Sequence, residues 1–313
     1  MSAKRIGIVW NPAKTEKEDL EAALPEGTDL TVSWYETEED DPGESAAKAA
    51  IADGADGAEV VIAAGGDGTV RAVAGHLAET GADVDLGIVP LGTGNLLARN
   101  LEVPLNDLEA AMTRAIDGTP QRIDMGWVEI ALPDGNEHQP FVVMAGFGID
   151  AHMITETNDD LKDKAGWLAY VESLGRAVSA SDVMEIKLSR EGEDLDDEFA
   201  HTLIVGNCGT LQGGITLLPD ADPADGELDV LILKADGVSG WLDTMKNMVW
   251  DNGIRRIVSK DDSAQSSDTA IHQRVSSLTI ELEKPRVVEV DGDELGETER
   301  IDVSISPSAL SVR

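Results

Sequence analysis

The chain has 313 residues, 42% of them hydrophobic, enough to bury a sizeable core and to form two domains. Its 61 Asp and Glu against 24 Lys and Arg give a net charge of -37, which excludes a nucleic-acid partner, because a phosphate backbone is held by basic surface. The acids are interspersed with regular apolar periods rather than gathered into a tail, so they read as a folded acidic surface and not as disorder.

Such a surface suits concentrated salt, where the Debye length falls to about 3 Å and self-repulsion is screened; a halophilic cytoplasm is the expectation. Cys208 is the only cysteine, so no disulfide framework exists and a reducing compartment fits. The first ten residues lead into a strand and lack the apolar core and cleavage site of a signal peptide. No apolar run approaches the ~18 residues of a spanning helix, so any membrane contact is expected to be peripheral.

Taken in order, strands are predicted near 4–9, 29–35, 59–64 and 86–90, and helices near 16–23, 44–53, 70–79 and 106–117. That alternation predicts βαβ units and a parallel sheet, with ligands beyond the carboxyl ends of its strands. The third strand runs into Gly65-Gly66-Asp67-Gly68-Thr69. These glycines are expected to take positive φ and let a polyphosphate approach the main chain, and the helix opening near Thr69 turns its first amides toward the anion. A carboxylate there would repel phosphate unless it held a metal ion, a water or a nucleotide hydroxyl, so Asp67 points to nucleotide chemistry. Asn11-Pro12 and Leu91-Gly92-Thr93-Gly94-Asn95 also follow strands and should converge on the same edge.

Beyond Pro120 the pattern changes. Strands are predicted over 122–131, 141–145, 184–189, 199–206, 228–233, 277–282 and 287–290, with a hairpin turn at Pro133-Asp134-Gly135-Asn136. Two helices interrupt them, one carrying Trp167, Val171, Leu174 and Val178, the other Trp241, Met245, Met248 and Val249; residues 261–270 read as a polar loop. This half is expected to be an antiparallel β domain with helical insertions.

The order of these segments, continued by Gly206-Asn207, Gly213-Gly214, Pro219 through Asp225-Gly226-Glu227-Leu228-Asp229-Val230, and Val290-Asp291-Gly292-Asp293, resembles the diacylglycerol kinase-like lipid kinases along nearly the whole chain. The resemblance implies an α/β nucleotide domain with a parallel sheet, similar to NAD kinases and phosphofructokinases, over 1–122. It implies a β-sandwich lipid domain over 123–300 and a last strand, 301–313, returning to the first domain. It implies ATP and Mg²⁺ as cofactors, a membrane lipid as substrate and a cytoplasmic protein in peripheral contact with the inner face of the membrane, with a homodimer left open.

The resemblance also implies residue roles. Asn11, Pro12, Thr37, Gly65, Gly66, Asp67, Gly68, Thr69, Gly92, Thr93, Gly94 and Asn95 would contact nucleotide. The acidic surroundings of Thr37 diverge from the family, and Ala13-Lys14-Thr15 stands where a serine and glycine are usual; Lys14 or Thr15 could compensate. Magnesium would take main-chain oxygens at Asp222 and Glu227 and the carboxylate of Asp225. The family's base lies in an Asp-Gly-Glu triplet, matched here by Asp291-Gly292-Asp293, so Asp293, one methylene short, and Asp291 as the fallback join Asp67 as catalytic candidates. Leu96 stands where many bacterial diacylglycerol kinases carry aspartate, which leaves the lipid open, an ether-linked glycerol lipid included.

Plainer readings stand beside these. Asp225-Gly226 and Asp291-Gly292 are common hairpin turns, the Trp and Met stripe at 241–249 is ordinary core, the five histidines lack zinc spacing, and Cys208 is a small buried thiol. Two other functions share features of the chain: an NAD kinase, which has the Gly-Gly-Asp-Gly loop without Pro90 to Asn95 or the Asp-Gly-x-Leu-Asp-Val stretch, and a nucleotide-sensing module that has lost its base.

Overall fold

A computed structural model describes residues 3–52, 57–132, 135–148, 183–212, 216–234 and 270–313. The two helices predicted around Trp167 and Trp241, the Gly213-Gly214 pair, and all of the 261–270 loop except Ala270 lie outside the described residues. The chain divides into two compact units: Met1–Met125 with Pro223–Asp225 and Ser306–Arg313, and Gly126–Asp222 with Gly226–Ile305.

In the first unit, β1 (Lys4–Trp10), β2 (Leu30–Glu36), β3 (Val60–Gly65) and β4 (Asp85–Pro90) are all parallel, in the order β2-β1-β3-β4. The helices α1 (Lys17–Ala22), α2 (Glu44–Ala52) and α3 (Asp67–Thr80) join them, and α4 (Leu96–Asn100) and α5 (Leu108–Asp117) follow β4. Val60 to Ala64 are entirely buried, which is why β3 reads as an unbroken apolar run: a central parallel strand is covered on both faces. β2, at the edge, alternates between partly buried and exposed residues. Ile6, Ile8, Leu20, Ile62, Met112 and Ile116 form the core between sheet and helices.

Local chemistry sets the helix ends. The Asp41 carboxylate accepts the amides of Gly43, Glu44 and Ser45 and opens α2; Asp107 accepts Ala110 N at 2.9 Å and opens α5. Gly81, at φ 61°, closes α3 in the left-handed conformation that spares a Cβ clash. The chain end is held as firmly: Ser311 and Val312 pair in parallel with Asp85 and Leu86, and Arg313 bonds Asp85, Ile116 O and Gly118 O.

The second unit is antiparallel. From Gly126 onward it contains β5 (Gln121–Leu132), then β6 (Gly135–Phe141), β7 (Met144–Phe147), β8 (Met184–Arg190), β9 (Asp196–Ala200), β10 (Thr202–Gly206), β11 (Leu228–Leu233), β12 (Ala270–Val275), β13 (Ser277–Val290) and β14 (Asp293–Val312), which ends in the first unit. β7-β10-β11-β12 are successive neighbours, β13 pairs with β7, β8 and β14, and β5 forms a hairpin with β6. A sandwich core of Val128, Phe141, Leu188, Leu203, Ile232, Ile280 and Val290 lies among them.

Four predicted strands differ from the observed ones. The strand expected over 141–145 is interrupted at Val142 and Val143, where the main chain bends to serve a carboxylate. The one expected over 199–206 breaks at His201, whose amide bonds Leu233 O. Conversely, 277–282 and 287–290 belong to one strand, β13, with an irregularity between Glu281 and Arg286. β6, β12 and the first part of β14 escaped sequence reading because their polar sequences lack a clean two-residue period.

Candidate active site

Parallel register brings four strand ends of the first unit to one edge: Trp10 lies opposite Glu36 and Ala64, and Gly65 opposite Pro90. Asn11, Thr37, Gly65 to Thr69 and Leu91 to Asn95 therefore share that edge. Main-chain bonds fix their entry, from Asn11 N to Ala64 O at 3.0 Å, Thr37 N to Trp10 O at 3.0 Å and Leu91 N to Gly65 O at 2.8 Å. Asn11 then folds its own loop, its side chain accepting Ala13 N at 2.9 Å. Pro12 and Thr93 are exposed and Thr37 is buried.

The two glycine loops form one interlocked body. α3 starts at Asp67, two residues before the predicted opening near Thr69, and Gly66 at its head supplies no capping side chain. The first helical bond is Val70 N to Gly66 O, so the first-turn amides face the strand-end edge with the positive end of the helix dipole behind them. Gly65, Gly66 and Gly68 do not take positive φ; Gly66 has φ −89°. Gly65, Gly92 and Gly94 are glycines for closeness instead. A Cβ on Gly65 would lie 2.5 Å from Thr69 Oγ1, one on Gly92 would lie 2.7 Å from the Gly66 Cα, and one on Gly94 would lie 2.7 Å from Asp67 Oδ2.

Asp67 explains that closeness. Its Oδ2 accepts Asn95 N at 2.8 Å and its Oδ1 accepts Leu96 N at 2.6 Å, so the carboxylate ties the second loop to the head of α3. This differs from the metal, water or hydroxyl contact expected of it. Asn95 completes the clasp in left-handed backbone, φ 48° and ψ 47°, with its side chain accepting Gly92 N at 2.9 Å and donating to Gly92 O at 2.7 Å. Arg99 Nε donates to Gly94 O at 2.6 Å.

In the second unit, Asp291 and Gly292 form the two-residue turn between β13 and β14, both with positive φ (48° and 95°), the pattern of a type I′ hairpin. Asp293 is exposed directly after the turn, paired across it with Val290. Asp291 is buried, and its carboxylate accepts the amides of Val142, Val143 and Met144 at 2.8–3.0 Å. The same bend receives Asn207, whose N donates to Val143 O at 2.8 Å, and Cys208, whose N donates to Val143 O at 3.0 Å. Burial, with the charges of Asp291 and Asp222 nearby, pushes the Cys208 thiol far up, so it stays protonated and is no nucleophile.

The acidic segment expected to hold magnesium offers only oxygen donors, the class a hard dication takes. The Glu227 carboxylate pairs with Arg274 at 3.1 Å, and Arg274 also donates to Asp220 O at 2.9 Å. Among the described residues no three His, Cys, Asp or Glu side chains group as a metal site.

Comparison with known proteins decides the family. Residues 10–128 match the model of the diacylglycerol kinase catalytic domain, and residues 142–313 match that of the YegS C-terminal NAD kinase beta sandwich-like domain. The chain belongs to the diacylglycerol kinase catalytic-domain family. A Pseudomonas aeruginosa protein named "Probable lipid kinase YegS-like" is 32% identical over 257 residues, 82% of this chain and 76% of that one. A crystal structure of a diacylglycerol kinase from Bacillus anthracis shares the fold with TM-score 0.66 at 21% identity, covering 99% of this chain and 96% of that one. Yeast NADH kinase shares it more distantly, with TM-score 0.50 at 10% identity over 100% of this chain and 83% of its own.

Within this diacylglycerol kinase-like chain, sequence reasoning missed the bend at Val142 to Met144 and the Arg274 clamp. The bend acts through main-chain amides of apolar residues, which leave no trace in the sequence. Arg274 falls on a strand whose pattern was not recognised. The left-handed Asn95 was legible in principle, since asparagine after glycine favours that backbone.

Proposed function

We propose that the chain is an ATP-dependent kinase that phosphorylates a hydroxyl of a membrane lipid. The observation that carries this reading is the interlocked pair of glycine loops at the carboxyl edge of the parallel sheet, where main-chain amides and a helix N-terminus suit a triphosphate. Family membership and the names of the curated relatives support the lipid as acceptor.

In the proposed reaction, Asn11, Thr37, residues 65–69 and 92–95 hold the nucleotide, and Asp293 accepts the proton of the attacking hydroxyl. The lipid oxygen bonds to the γ-phosphorus as the bond to the β,γ-bridging oxygen breaks, and ADP leaves. Asp222, Asp225 and Glu227 would hold Mg²⁺, which supplies charge neutralisation when bound. The chain's own contribution is positioning. Among the described residues no helix is long and apolar enough to cross a membrane, and we propose peripheral contact with lipid. The charge of -37 opposes docking on anionic bilayers in dilute buffer, so activity is expected to rise with salt.

Labelled ATP incubated with the protein and a panel of diacylglycerol, ether-linked glycerol lipids and sphingoid bases tests the reading. Transfer of label to a lipid supports it. Transfer to NAD in a parallel tube, with none to lipid, would replace it by an NAD kinase.

A further inference from the structure

The two carboxylates in the Asp291-Gly292-Asp293 turn are placed differently. Asp291 is 7% exposed, and its oxygens are covered by three successive amides: Val142 N on Oδ2 at 2.8 Å, and Val143 N at 2.9 Å and Met144 N at 3.0 Å on Oδ1. Its own amide answers by donating to Met144 O at 2.9 Å, so the turn and the bend clasp each other from both sides. Three of the roughly four lone-pair sites of that carboxylate are thereby taken by N–H donors. Asp293 is exposed two residues further on.

The bend is also the point where a third segment is anchored. Asn207 donates its amide to Val143 O and its Nδ2 to Val142 O at 3.2 Å, and Cys208 N donates to Val143 O. The donors of the bend serve the Asp291 carboxylate; of its acceptors, Val142 O and Val143 O serve residues 207–208 and Met144 O serves the Asp291 amide. Asp291 thus sets the position of the β13–β14 turn against two other segments, at the cost of a left-handed backbone.

We propose that Asp291 is a positioning residue: its carboxylate fixes the bend at Val142 to Met144 and thereby the turn that presents Asp293, and it does not itself take the proton. This inference rests on the kinase reading above and deepens it.

Asparagine separates the two roles, because it cannot act as a base but can still accept Val143 N and Met144 N through one oxygen. In D291N, turnover on the accepted lipid is expected to fall about ten- to hundredfold. The KM for ATP and the acid limb of the rate profile should stay in place, and deuterium exchange should quicken at Val142. D293N is expected to show no turnover while still binding ATP. A D291N protein as inactive as D293N, with residues 142–144 still protected, would make Asp291 the base and overturn the proposal. Full activity in D291N with that protection lost would overturn it too. Should D291N fail to fold, N207S loosens the same bend from its other side, and wild-type turnover there would count against the inference. A wild-type protein that transfers phosphate to no lipid removes the kinase reading, and this inference with it, whatever the exchange data show.

Discussion

Each of the two units carries a buried or half-buried aspartate whose carboxylate gathers main-chain amides, and the two are used differently. Asp67 joins two loops of one sheet edge, those proposed to hold the nucleotide, with glycines keeping them in contact. Asp291 joins a turn to a bend 149 residues earlier in the chain, and the group presented to solvent is its neighbour Asp293. An aspartate in a tight turn therefore need not be the reacting group: two or three amides on its oxygens make it a tie between backbone segments.

The comparison can be broken most forcefully at the glycine contact. Replacing Gly92 by Val puts a branched side chain where even a Cβ would stand 2.7 Å from the Gly66 Cα, a backbone atom that cannot yield without moving the head of α3. ATP affinity, measured by calorimetry, is expected to fall, and turnover by about a hundredfold or more, since a displacement of about 1 Å costs that much in the rate of a positioned site. Unchanged affinity would show that the loops do not act as one body.

Cutting the carboxylate link is the next test. In D67A the amides of Asn95 and Leu96 lose their acceptor, so a loss of roughly 1–3 kcal/mol in stability is expected in denaturant melts, with a raised KM for ATP and an unchanged KM for lipid. A change confined to the lipid KM would place Asp67 in a different role.

Salt sharpens the contrast between site and surface. With a net charge of -37, melting temperature is expected to rise from dilute buffer to molar KCl, while D67A should keep its deficit throughout, because its lost bonds are short and partly buried. A wild-type melting temperature that fell with salt would remove the halophilic proposal.

The smallest effect concerns the carboxylate that caps α2. The Ser45 hydroxyl, helped by the amides of Gly43, Ser45 and Glu44 and opposed by slight burial, holds the Asp41 carboxyl below its ordinary value. A carboxylate lowered in the folded state adds stability above its unfolded pKa and loses it as pH falls through the folded value. D41A should therefore cost about 1 kcal/mol at pH 7, and the difference from wild type should shrink as pH drops below about 4. A deficit that persisted at pH 2 would show that packing, not charge, is responsible.

The fold class was open to sequence reading because burial writes itself into residue order. Strand β3 is apolar throughout since both its faces are covered, and the helices of the first unit show their periods around it. The glycine loops were equally legible as loops after strands, although the reason for their glycines was not: Gly65, Gly92 and Gly94 are needed for close contact and not for positive φ. The polar strands β6 and β12 were hidden, because pairing with a neighbour, not an apolar period, makes them strands.

By itself, then, the sequence determined the parallel α/β unit, the antiparallel unit and the family, since periodicity, glycine spacing and residue type are local properties. Only the tertiary structure decided what each carboxylate does. Asp67 and Asp291 acquire their partners from residues 28 and 149 positions away, and a carboxylate's role is set by the donors that surround its oxygens, which no local stretch of chain contains.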